Sequence, residues 1–263
     1  MRANPVRDAW SQGRAVVNGW LSLPTSFAAE TMAHQGWDSL TIDLQHGLVD
    51  YQAAVPMLQA VSTTSTPPMV RVPWSEPGII MKMLDAGAMG IICPMVNNRE
   101  EAQAFVGACK YAPLGYRSVG PTRAVLYAGA DYIANANANT LAIAMIETRE
   151  ALQRLDEILS VEGLDGVYVG PSDLGLSLGH APVLDQTEPA VVEALGTILD
   201  ACNRHGLPAG IHCGTPEYAT QMIEKGFKLV TIGSDNRLMA IAAKAAIEHV
   251  KGRVSGGGGG SQY

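Results

Sequence analysis

The sequence predicts one (β/α)8 barrel, a TIM barrel of the α/β class, and three observations carry that expectation. Eight short apolar or β-branched runs recur along the 263 residues, each ends in Gly, Pro or a polar residue, and each is followed by an amphipathic stretch. Most strand ends lie about 20 to 30 residues apart, which is the rhythm of a repeated βα unit.

Taken in order, Ala15–Leu21 is followed by the helical stretch Phe27–Gln35, Ser39–Asp43 by Gln52–Val61, Pro68–Val72 by Pro77–Ala86, and Met89–Cys93 by Arg99–Lys110. Ala142–Ile146 leads into Arg149–Ser160, Gly166–Val169 towards Pro189–His205, Ala209–Cys213 into Pro216–Lys225, and Leu229–Ile232 into Arg237–Val250. Two steps, Cys93 to Glu147 and Gly170 to His212, are too long for a bare unit and require insertions. An open doubly wound sheet is the competing architecture. It usually carries G-x-G-x-x-G after its first strand, where this chain reads Pro24-Thr25-Ser26.

Composition narrows the function classes. With 47% hydrophobic and 16% charged residues, the chain can bury one large core, assigned to 1–253. The remainder, 254–263, is Gly/Ser-rich and reads as a flexible tail. Eighteen basic residues against 25 acidic ones give a net charge of -7, with no Lys/Arg cluster, so nucleic acid is not expected as a partner. Cys93, Cys109, Cys202 and Cys213 are scattered without a Cys-x-x-Cys pair, so neither a disulfide framework nor a zinc ribbon is expected. No run approaches the roughly twenty apolar residues of a membrane span. Met1–Trp10 has no apolar signal core, so a cytoplasmic protein is expected.

In such barrels chemistry sits on the loops that leave the strand C-termini. The second strand ends in Asp43, with His46 three residues on; the third carries Arg71; the fifth runs into Glu147; and the sixth into Gly170-Pro171-Ser172-Asp173. Two carboxylates, Glu147 and Asp173, suit a hard cation such as Mg²⁺ or Mn²⁺. Their competing reading is as helix-terminal acids. The backbone from Gly170 to Ser172, at a helix start, is a natural cradle for a carboxylate. Arg71 is placed to stabilise a developing enolate oxygen; its alternative is an internal salt bridge. His46 is the side chain best suited to move a proton near neutral pH, with Asp85 as a candidate orienting acid.

Together, Ile42-Asp43-Leu44-Gln45-His46, Val70-Arg71-Val72-Pro73, Leu84-Asp85-Ala86-Gly87, Ile146-Glu147-Thr148-Arg149 and Gly170-Pro171-Ser172-Asp173-Leu174 resemble the HpcH/HpaI aldolase family, from about Gly13 to Gly252. The likeness is to its hydroxy-oxo-acid aldolases more than to its acyl-CoA lyases. The resemblance implies a class II pyruvate aldolase that cleaves 4-hydroxy-2-oxo acids to pyruvate, or a hydroxypyruvate-like donor, and an aldehyde. It implies Glu147 and Asp173 as ligands of Mg²⁺ or Mn²⁺, with Co²⁺ a further choice, Arg71 on the enolate, and His46 paired with Asp85 on the proton of the aldol hydroxyl or of a metal-bound water. It further implies that Gly170, Pro171 and Ser172 take the carboxylate, that Trp20 and Asp43 line the pocket, and that the last helix is exchanged between subunits of a hexamer. Three positions depart from the pattern: Met145 where many relatives have Gln, Leu44-Gln45 where Gly-Glu is usual before the histidine, and His212, expected as a substrate-binding residue of the acceptor pocket, where relatives carry an apolar residue.

Three rival readings remain at this point. A Schiff-base aldolase would need a lysine at a strand end, and Lys82, Lys110, Lys225, Lys244 and Lys251 fall on helices, while Lys228 opens the eighth strand. A malyl- or citramalyl-type acyl-CoA lyase would need a basic groove for its nucleotide. A non-catalytic barrel would leave the shared placement of acids, Arg and His as coincidence.

Overall fold

A computed structural model describes residues 2–256, with side chains to residue 251. The chain opens with helix α1 (Pro5–Ser11), then alternates through β1 (Val16–Leu21), α2 (Ser26–Ala33), β2 (Ser39–Asp43), α3 (Tyr51–Val61), β3 (Pro68–Arg71), α4 (Pro77–Asp85) and β4 (Gly90–Cys93). The first insertion follows β4: α5 (Arg99–Cys109) is succeeded by α6 (Thr122–Ala128) and α7 (Tyr132–Asn139) before β5 (Leu141–Ile146). Next come α8 (Arg149–Gln153), α9 (Leu155–Leu159) and β6 (Gly166–Val169), followed by the second insertion, which contains α10 (Pro171–Leu178). The chain then runs through α11 (Pro189–His205), β7 (Ala209–Cys213), α12 (Pro216–Lys225), β8 (Leu229–Ile232) and α13 (Asp235–Gly256).

The eight strands are parallel and close in sequence order, β8 pairing back onto β1. The expected barrel is therefore the observed one, and the doubly wound alternative is excluded. Because side chains alternate across a strand, every second residue enters the barrel. Trp20, Met69, Ile92, Leu141, Ile143, Met145, Tyr168 and Leu229 fill it, while the other parity joins the helices in the larger outer core. An interior polar chain runs through this filling. Asn18 donates to Thr231 at 2.9 Å and accepts from the hydroxyls of Ser39 and Thr41 at 2.8 and 3.1 Å.

Helix α1, not anticipated from the sequence, closes the bottom of the barrel. Asn4 caps it by accepting from the Val6 N–H, and its amide donates to the carbonyls of Met89 and Asn139. Val6 and Ala9 then join the interior cluster. The predicted helix Arg149–Ser160 is broken at Arg154 into α8 and α9.

At the other end of the chain, α13 continues to Gly256, past the boundary placed at 253; the rest of the tail assigned to 254–263 lies outside the described residues. From Met239 to Lys251 every residue of α13 is exposed, Met239, Ile241, Ile247 and Val250 among them. No described helix is long and apolar enough to cross a membrane. All four cysteines are free and buried, as expected of reduced thiols.

Candidate active site

At the C-terminal mouth of the barrel a cleft of about 180 Å³ is lined by His46, Arg71, Met145, Tyr168, Gly170 to Asp173, Leu184 and His212. The β2 and β3 registers set Asp43 directly beside Arg71. The two side chains form a bidentate pair, Nε to Oδ1 at 2.8 Å and Nη2 to Oδ2 at 2.7 Å. Burial opposes the charge on Asp43, which is 2% exposed, yet the hydrogen bonds and charge of Arg71, with help from Trp20 and the Gln45 amide, hold its carboxyl below the usual range. The Arg71 guanidinium also lies 4.9 Å over the Trp20 ring. Two of its five N–H donors go to Asp43, and the side chain also lines the cleft. Arg71 is thus in an internal ion pair and also lines the cleft.

Glu147 is the first residue past β5 and is 3% exposed. Its Oε1 accepts the Met95 N–H at 2.8 Å, on a loop where Met95 takes the left-handed backbone conformation (φ 56°). Across from it a Cβ at Gly170 would overlap Glu147 Oε2, so a side chain there would have to displace the carboxylate. Burial, assisted by the negative charge of Asp173, pushes the Glu147 carboxyl up to about 7, against the opposing Met95 amide and Arg71. Asp173 itself is exposed, in the first turn of α10, two residues after Pro171. Among the described residues no three His, Cys, Asp or Glu side chains converge as a metal cage. Two carboxylates, one buried and repelled by the other, are nonetheless a donor set that a hard divalent cation fits, completing its shell with water and substrate.

Gly170 caps α10, with Pro171 at its first position. Pro171 has no N–H, so the expected cradle would have to use the amides of its neighbours, and Pro171 itself lines the cleft. His46 is exposed on the loop after β2. The turn brings its backbone N–H towards Asp43 Oδ1 at 3.4 Å, and Gly47 is needed because a Cβ there would strike the Asp43 carbonyl.

Asp85 does not join this cluster. Helix α4 runs antiparallel to β3, so its last residue sits at the opposite rim. There Asp85 accepts from the buried Arg117 at 2.6 Å, and Arg117 in turn donates to Tyr132. Within this chain the expected His46–Asp85 pairing is therefore not made.

Tyr168 and Leu184 line the cleft without having been singled out from the sequence. Tyr168 stacks on Trp20 at 5.8 Å and lies 3.2 Å from His212 Nδ1. Among the described residues no lysine lines the cleft: Lys110 is buried against Asp165 and two carbonyls, and Lys228 bonds the Gly13 carbonyl.

A family model described as HpcH/HpaI aldolase/citrate lyase matches residues 17–242. A hydroxypyruvate/pyruvate aldolase of Rhizorhabdus wittichii is 45% identical over 93% of this chain and 97% of its own length. A 4-hydroxy-2-oxo-heptane-1,7-dioate aldolase of Klebsiella pneumoniae is 37% identical over 92% of each. Among solved structures, an HpcH/HpaI aldolase/citrate lyase family protein of Burkholderia cenocepacia superposes with a TM-score of 0.88 at 30% identity, covering 94% of this chain and 99% of that one. Barrel, mouth residues and relatives agree, and the chain belongs to the HpcH/HpaI aldolase/citrate lyase family.

Proposed function

We propose that this aldolase cleaves 4-hydroxy-2-oxo acids reversibly to pyruvate, or to a hydroxypyruvate-like donor, and an aldehyde, with Mg²⁺ or Mn²⁺ held by Glu147 and Asp173. The observation that carries this reading is the buried Glu147 carboxyl, raised by burial and by Asp173, beside an arginine pinned by Asp43. The bound cation would supply Lewis-acid polarisation of the 2-oxo group and bring the two carboxylates together.

The chain's own residues do the rest. The amides at the start of α10 hold the substrate carboxylate. Arg71, fixed by Asp43 and Trp20, points its remaining donors at the oxygen that gains negative charge when the carbon–carbon bond breaks. His46 takes the proton from the 4-hydroxyl in cleavage and returns it in addition, its exposure allowing exchange with water. Asp43 acts as a positioning residue on Arg71. The same reading includes a homo-oligomer, a hexamer with α13 exchanged between subunits, supported by the apolar residues that α13 leaves exposed.

The test offers pyruvate with a panel of aldehydes under Mg²⁺ or Mn²⁺, followed by product analysis. Aldol products that disappear with EDTA are expected. Activity that survives EDTA, inactivation by borohydride with pyruvate, or cleavage of malyl-CoA but not of hydroxy-oxo acids would overturn the reading.

A further inference from the structure

The polar chain inside the barrel ends on a histidine, His212, through Thr231 and Tyr168. The Asn18 amide is oriented by the two hydroxyls on its oxygen, so its N–H₂ faces Thr231 Oγ1. Tyr168 donates its own proton to that same Thr231 oxygen at 2.6 Å. With its proton spent there, the Tyr168 oxygen can only accept at its second contact, His212 Nδ1 at 3.2 Å. With that direction of donation His212 carries its proton on Nδ1, whereas Thr231 donating to Tyr168, and Tyr168 to His212, would leave Nδ1 bare.

The two ring nitrogens sit on opposite sides of an imidazole, so Nε2 is turned away from Tyr168. It has no hydrogen-bond partner among the described residues, and His212 lines the cleft. Trp20 packs on the ring nearly perpendicular at 5.0 Å and holds its plane. Burial, with the Arg71 charge added, drives the His212 pKa down to about 4, partly offset by Asp43, so the ring is neutral near pH 7.

We infer that His212 is a specificity residue whose Nε2 lone pair accepts a hydrogen bond from a hydroxyl on the substrate, so that the site selects hydroxylated partners over their deoxy analogues. This rests on the aldolase reading. The hydroxyl has two sources, the methylene carbon of a hydroxypyruvate-like donor or the carbon next to the aldehyde group, and either presents the same O–H to the same lone pair. A histidine that donated from Nε2 would instead favour a carbonyl or carboxylate at this place.

The experiment uses the full chain with Mg²⁺ and four pairings, pyruvate or hydroxypyruvate with acetaldehyde or glycolaldehyde, for wild type, His212→Phe and Tyr168→Phe. His212→Phe keeps a flat ring against Trp20 and removes the acceptor. The wild type is expected to prefer the hydroxylated partner at one of the two positions. In His212→Phe the kcat/KM ratio of hydroxylated to deoxy substrate should fall about tenfold at that position, the size of one neutral hydrogen bond. Tyr168→Phe, which frees the tautomer, should lower the ratio less. Nitrogen-15 NMR of the wild type should show Nδ1 protonated and Nε2 bare at neutral pH. Ratios unchanged in His212→Phe, or a protonated Nε2, would overturn the assignment while leaving the aldolase reading intact. Absence of product in all four wild-type pairings would instead refute the aldolase reading, and the NMR arm would still judge the tautomer.

Discussion

Replacing Arg71 by alanine acts on two quantities that a second substitution can separate. Asp43 has almost no contact with water and receives both bonds of a bidentate pair, so Arg71→Ala strands a buried carboxylate. Breaking a buried pair from one side costs roughly 3–5 kcal/mol, and little screening reduces it here because the Arg71 side chain is only 12% exposed. The enolate also loses its donor, worth about a hundred- to a thousandfold in rate. In Asp43→Asn/Arg71→Ala the neutral amide needs no countercharge. That double variant should regain most of the lost stability and none of the lost rate. Urea unfolding and kcat for aldol cleavage, measured on wild type, both singles and the double, read the two effects separately. In Arg71→Ala alone, burial without Arg71 leaves the Asp43 pKa above its unfolded value. Its deficit should therefore be smallest at acid pH and grow as pH rises through the carboxylate range. Recovery of cleavage together with stability in the double variant would refute the enolate role and leave Arg71 purely architectural.

Two further variants test the metal half of the site. Glu147 titrates near 7 when folded and near 4.5 when unfolded, so the folded state holds more protons between those values and loses stability as pH rises. In EDTA, Glu147→Gln should therefore match wild type near pH 4.5 and exceed it at about pH 8 by up to about 3 kcal/mol, at about 1.36 kcal/mol per pH unit, as read by denaturant midpoints; a wild type more stable than the variant at the higher pH would sink this. Gly170→Ala puts a methyl group where Glu147 Oε2 lies, and displacing that carboxylate should cut kcat/KM about a hundredfold and weaken Mn²⁺ binding in a direct titration; wild-type values for both would show that the close approach is irrelevant.

Much of this site was legible in the sequence because strand ends are local signals. Asp43, Arg71 and Glu147 could be placed from the apolar runs that precede them, and every strand boundary falls within one residue of its expected position. Asp85 shows the effect of direction: a helix that returns from the mouth ends at the far rim, so within one chain Asp85 meets Arg117 and not His46. Tyr168 was hidden inside an apolar run, Gly166–Val169, although its parity with Gly170 two residues on assigns it to the barrel interior. Leu184 comes from the insertion before α11, whose path no period encodes. Helix α1 is seven residues long, too short for periodicity to register, and only the Asn4-Pro5 start marks it.

The charges at the mouth also constrain what can bind there. The Asp43–Arg71 pair is neutral as a unit, so Arg71 offers a ligand fixed donor geometry more than net positive charge. The remaining acids, Glu147 and Asp173, leave the rim negative, and Asp173 already raises the Glu147 pKa. A 2-oxo acid brings another carboxylate into this cleft, and two like charges about 4 Å apart repel by about 4 kcal/mol at an effective dielectric constant of about 20. Neutral His212 cannot offset that repulsion at neutral pH, and among the described residues no lysine lines the cleft. A cation entering with the substrate offsets this charge, in addition to Arg237, whose charge reaches His212. Cation and oxo acid should accordingly bind with positive coupling, each tightening the other, and this coupling follows from the residues of the rim whichever divalent ion is used.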